Sequence, residues 1–88
     1  MSESEQPFSF PCEFPIKVFA AASSDLLEPA RDIVERHAGP LKEECISQRA
    51  SSNGKYVAIT FKVTAISREQ LDEIYRDLTA RDDVLMAL

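Results

Sequence analysis

Eighty-eight residues carrying a net charge of −5, with 15 acidic and 10 basic side chains, fit one small domain. That acidic balance disfavours a nucleic-acid binder, whose affinity comes largely from cations on phosphates. Two cysteines, Cys12 and Cys45, make no disulfide framework. With neither a secretory leader nor an apolar run of about 18 residues, the reading is a reduced, cytoplasmic protein without a membrane span.

Residues 1–6, MSESEQ, are polar and acidic and read as a frayed tail. Prolines at 7, 11 and 15 then punctuate Phe8, Phe10 and Phe14. Proline fixes φ and removes a donor, so this stretch is expected to be extended and not part of a central strand. The segment 1–13 is accordingly assigned as a flexible or extended arm and 14–88 as a single folded domain. Three phenylalanines are costly to leave in water, so they should pack across the domain or against a partner.

The core opens at residues 16–22, where Ile16, Val18 and Ala20 alternate with Lys17, Phe19 and Ala21 as in a strand. Asp25 followed by Glu28 suggests a capping box for a first helix. Leu26, Ala30, Ile33, Val34 and His37 recur at helical spacing, and Gly39-Pro40 ends the helix. Asn53-Gly54 predicts a two-residue type I′ hairpin turn. That turn pairs Ala50 with Val57, Gln48 with Ile59 and Ile46 with Phe61 on the core face. On the opposite face it pairs Ser51 with Tyr56, Arg49 with Ala58, Ser47 with Thr60 and Cys45 with Lys62. Residues 56–65 alternate throughout, the strongest strand pattern in the chain.

A second helix should start at Ser67, answered by Gln70, with Ile66 stapled onto Leu71. Leu71, Ile74, Tyr75 and Leu78 form its apolar stripe, and Arg68–Asp72, Asp72–Arg76 and Asp77–Arg81 are spaced for ion pairs. Residues 84–88 (VLMAL) read as a last strand. The order βαββαβ predicts an α+β, ferredoxin-like two-layer sandwich: a four-stranded antiparallel sheet with both helices on one face. Strands one and three would be central. The other sheet face would be open, displaying Lys17, Phe19, Ser47, Arg49, Tyr56, Thr60 and Lys62.

Many chemistries use this fold, so function must be argued from a site. An acylphosphatase-like enzyme needs a glycine-rich anion loop with an arginine after the first strand; here that loop is Ala21-Ala22-Ser23-Ser24. Cys12, His37 and Cys45 show no metal-ligand spacing, and the single histidine supplies no base to a cysteine nucleophile. An RNA-recognition surface would need a second aromatic where Ala58 stands. The expectation is therefore no enzyme, no metal and no cofactor. Two readings remain: a protein-interaction module, or a small-molecule regulator of the ACT type, whose usual glycine after the first strand is missing here. The candidate interaction surface comprises Phe8, Phe10, Phe14, Phe19, Arg49, Tyr56 and Lys62, on a monomer or weak dimer.

Four segments carry a family likeness: Phe14-Pro15-Ile16-Lys17-Val18, Val34-Glu35-Arg36-His37-Ala38, Ser51-Ser52-Asn53-Gly54-Lys55-Tyr56 and Val84-Leu85-Met86-Ala87-Leu88. In their order and spacing the chain resembles the YbeD-like family of small bacterial proteins of uncharacterised function. The resemblance implies a ferredoxin-like fold similar to ACT regulatory domains, a cytosolic setting and no assigned activity. It also implies a link to lipoate metabolism, through gene neighbourhood with a lipoate-attachment enzyme. It brings no catalytic residues to carry over.

Overall fold

The structure is a computed structural model that describes residues 11–88. Its elements run β1 (Cys12–Ala21), α1 (Leu27–Ala38), a 3-10 turn (Glu43–Cys45), β2 (Ile46–Ala50), β3 (Tyr56–Ala65), α2 (Arg68–Thr79) and β4 (Met86–Ala87). The strands form one antiparallel sheet in the order β2-β3-β1-β4, the ferredoxin-like arrangement, with β1 and β3 central. Alternation along β1 buries Ile16, Val18 and Ala20, and along β3 it buries Val57, Ile59, Phe61, Val63 and Ala65. The helical stripes close this layer with Leu26, Ala30, Ile33 and Val34 from α1 and Leu71, Ile74 and Leu78 from α2. Among the described residues, fifteen buried apolar side chains make one continuous core.

β1 starts at Cys12, four residues before the expected Ile16, so residues 12–15 lie in a central strand despite Pro15. Strand geometry makes this possible. Lys17 exchanges backbone hydrogen bonds with Leu88, and Phe19 accepts one from Leu85 N–H, so odd residues of β1 aim at the β4 side. Pro15 aims the same way, at a level that β4 does not reach, and its missing N–H has no strand partner to lose.

The hairpin keeps the expected register but not the expected turn. Asn53 does not have positive φ; only Gly54 does, at 73°. Gly54 N–H donates to Ser51 C=O (3.0 Å), so Ser52 and Asn53 occupy the centre of the turn and Gly54 follows in the left-handed conformation. Asn53 Oδ1 accepts from Lys55 N–H (3.1 Å) and from Ser51 Oγ (2.8 Å), and these bonds hold the tighter turn off. A four-residue loop centred on the same bond preserves the pairs Ile46–Phe61, Gln48–Ile59 and Ala50–Val57. Cys45 falls in the 3-10 turn, so its expected pairing with Lys62 does not form.

α1 starts at Leu27 without a side-chain cap, correcting the Asp25–Glu28 expectation. Pro29 is the third helical residue and offers no N–H for a cap to accept from; Ala30 N–H makes the first turn's bond to Leu26 C=O (2.9 Å). At the other end Glu35 accepts from Leu41 N–H (2.8 Å) and from Arg31 Nε (3.2 Å), while Arg31 donates to Leu41 C=O (3.1 Å). This clamp folds the chain back after Gly39, whose φ is 86°. The Leu41 N–H bond, then the Arg31 guanidinium, holds the Glu35 carboxyl below its ordinary value of 4.5. A carboxyl depressed by folding stabilises the fold above its unfolded value and stops doing so as pH falls through the folded one. The stability difference between the wild-type protein and Glu35→Gln should therefore shrink as pH drops below 4.5, a result that denaturant melts across pH 2–7 would check.

The start of α2 matches expectation more closely. Ser67 Oγ accepts from Gln70 N–H (3.0 Å), and Gln70 Oε1 accepts from Ile66 N–H (2.8 Å). Ile66 itself stays 64% exposed, so it does not serve as a staple. Asp77 bonds His37 Nε2 (2.7 Å) instead of Arg81, which pairs with Asp83 instead. The expected Arg68–Asp72 and Asp72–Arg76 pairs are not among those formed by the described residues.

Candidate functional site

With both helices on one side of the sheet, side chains at alternate strand positions make up the uncovered side. The register sets them in rows. Arg49, Ala58, Phe19 and Met86 cross the sheet in one row, and Ser47, Thr60 and Lys17 in the next. Tyr56 lies opposite Ala21 on one side of these rows, and Lys62 opposite Pro15 on the other. Ser47, Arg49, Ala58, Phe19, Lys17 and Thr60 line a shallow depression of about 440 Å³. Beside it, Phe19, Arg49 and Tyr56 help to enclose a smaller dimple of about 140 Å³.

The chemistry of this side is unlike the rest of the chain. Lys17, Arg49 and Lys62 are exposed and form no ion pair among the described residues. The single carboxylate side chain at a matching strand position is Glu13, opposite Thr64 at the sheet's far end. Against a chain total of −5, the open side is therefore locally cationic. Exposed Tyr56 (48%) and Met86 (52%) add apolar area.

Of the residues singled out from sequence, Phe19, Arg49, Tyr56 and Lys62 lie on this side of the sheet, the first three adjoining one dimple and Lys62 standing apart. Phe14 does not. It sits in β1 opposite Val63 and packs against the core, on the covered side of the sheet. Phe8 and Phe10 lie outside the described residues. Met86 is the residue that sequence reasoning missed. It stands beside Phe19 because β4 is only two residues long and registers Met86 there.

In the loop after β1, Ala22 N–H donates to Lys55 C=O (2.8 Å) and Ser24 N–H to Ala21 C=O (2.9 Å), so those amides are spent on the chain itself. Cys12 lies in β1, Cys45 in the 3-10 turn, and His37 between Asp77 and Glu73. No cluster of three or more His, Cys, Asp or Glu among the described residues could hold a metal ion. None of the described helices is long and apolar enough to cross a membrane.

Comparison with known proteins finds relatives along nearly the whole chain. The UPF0250 protein of Chromobacterium violaceum is 40% identical over 86 residues, spanning 98% of this chain and 97% of that protein. The UPF0250 protein of Paraburkholderia phytofirmans is 38% identical, spanning 99% and 98%. Among solved structures, the solution structure of protein HP0495 from H. pylori superposes with a TM-score of 0.76 at 19% identity, covering 100% of this chain and 93% of that one, a likeness of fold alone. The family described as "Protein of unknown function (DUF493)" matches residues 5–88, and the chain belongs to it.

Proposed function

We propose that this chain is a non-catalytic, cytoplasmic protein-interaction module whose open sheet face docks an acidic, partly apolar surface of another protein. The observation that carries this reading is the set of unpaired cations, Lys17, Arg49 and Lys62, interleaved with Phe19, Tyr56 and Met86. Aromatic residues, Met and Arg are enriched in protein interfaces, and Tyr and Arg recur as their energetic anchors. Three cations fall short of the phosphate contacts that nucleic-acid affinity draws on, and Ala58 stands where a second stacking ring would be needed.

A second copy of the chain is a poorer occupant. Its helices carry seven of the 15 acidic residues, and a helix-to-sheet contact between copies is heterologous, so it would build a ring or an open chain and not a closed pair. The ACT-like alternative, a small-molecule regulator, has less support, because the loop at residues 21–24 commits its amides internally. The link to lipoate metabolism implied by family resemblance makes the lipoate-attachment enzyme the first partner to test.

The test compares three immobilised proteins against a bacterial lysate and against the purified lipoate-attachment enzyme. They are the wild type, Lys17→Glu/Arg49→Glu/Lys62→Glu, and the helix-side control Arg36→Glu/Arg68→Glu/Arg76→Glu, which changes net charge equally. A partner of the open face is retained by wild type and control, is lost by at least about tenfold from the face variant, and weakens with added salt. Identical partner lists from all three proteins would sink the reading.

A further inference from the structure

We infer that the free edge of β2 is a second docking site, where an extended, basic and apolar segment of a partner protein adds as a fifth strand. Among the described residues β2 ends the sheet, with no strand on its outer side. Ser51 N–H donates inward to Tyr56 C=O (2.8 Å). By antiparallel alternation Ser47 and Arg49 also face β3, and the backbone groups of Gln48 and Ala50 aim outward. The strand has no proline or bulge to protect that edge, and its one charged side chain, Arg49, lies on the open side of the sheet.

The space beside this edge says what the added strand would carry. Gln48 and Ala50 point to the helix layer by register, yet both are exposed, because α1 packs on β3 and not on β2. The result is a groove of about 250 Å³ between α1 and β2. Leu27 and Ile46, both half-buried, give it an apolar floor. Glu28 and Glu43 stand at its rim with no ion pair among the described residues, while Arg31 is already held by Glu35. A strand paired to β2 would drop one aliphatic side chain onto Leu27 and Ile46. Basic side chains two residues to either side, on the same face, would meet Glu28 and Glu43. This site differs from the open face in location and in charge sign, and it stands whether or not that face binds acidic partners.

The probe is a blocked peptide, Thr-Lys-Thr-Val-Thr-Lys-Thr, which places Val and both Lys on one side of a strand. Titrated into the isotope-labelled full chain, it should give saturable amide shifts at Gln48, Ala50 and Ile46. Glu28→Gln/Glu43→Gln should weaken binding by about fivefold. Gln48→Pro should abolish binding while leaving the β3 ladder intact, since the Gln48 N–H does not take part in that ladder. Lack of saturation, an equal response to the peptide with Glu for Lys or with an N-methylated backbone, or unchanged binding by both variants would overturn the inference. So would light scattering that finds the free protein already dimeric through β2, because a second copy would then occupy the edge.

Discussion

Phe61→Ala should cost about 3–5 kcal/mol, most or all of the margin expected for a domain of this size. Phe61 is the largest fully buried side chain and lies at the centre of β3, opposite Ile16 on β1 and Ile46 on β2. Both flanking strands and the helical layer depend on its volume, and no neighbouring strand can shift inward without breaking a register fixed on both sides. The expected result is a protein that is largely unfolded at 37 °C by circular dichroism. A midpoint lowered by only a few degrees would mean that the sheet can collapse around the cavity. Phe61→Leu, which keeps most of the volume, should fold and cost far less.

Gln70→Leu should cost about 2–4 kcal/mol although it adds apolar bulk, because it strands two backbone groups. Gln70 is the one buried polar side chain among the described residues. Its Oε1 accepts from Ile66 N–H (2.8 Å), and its Nε2 donates to His37 C=O (3.1 Å). It thus joins the entry to α2 with the end of α1, where a helical carbonyl would otherwise go unpaired. Gln70→Glu keeps the acceptor for Ile66 but loses the donor to His37, so its cost should fall between the wild type and Leu. Chemical denaturation of the three proteins measures this order. A stabilised Leu variant would contradict it.

These two residues mark how far the sequence could be read. Phe61 was legible because ten alternating residues fix its face, and the Asn-Gly centre fixed its partners. The register survived a wrong turn type because pairing depends on where a loop is centred, whereas the turn depends on what the Asn53 side chain bonds. Gln70 was legible only as half of a local cap. Its bond to His37 spans 33 residues and belongs to the packing of α1 on α2. The diversion of Asp77 to His37 has the same origin: local spacing offered Arg81, and tertiary packing brought a closer partner. The strand placement of Cys12 and Phe14 was hidden by Pro15, whose prohibition applies only where β4 would have needed its N–H. In the candidate site, Lys17, Phe19, Arg49, Tyr56 and Lys62 followed from alternation alone, while Met86 required the register of a two-residue strand.

The claim that the open face is where this protein meets its partner can be tested at one atom's range. A photo-crosslinking benzoyl-phenylalanine at position 19, in the middle of that face, should yield a discrete protein adduct in living bacteria. The same probe in place of Asp72, on the exposed side of α2, should not. Loss of the position-19 adduct on adding Arg49→Glu would complete the expected result. Equal adducts from both positions, or an adduct from position 72 alone, would contradict the account.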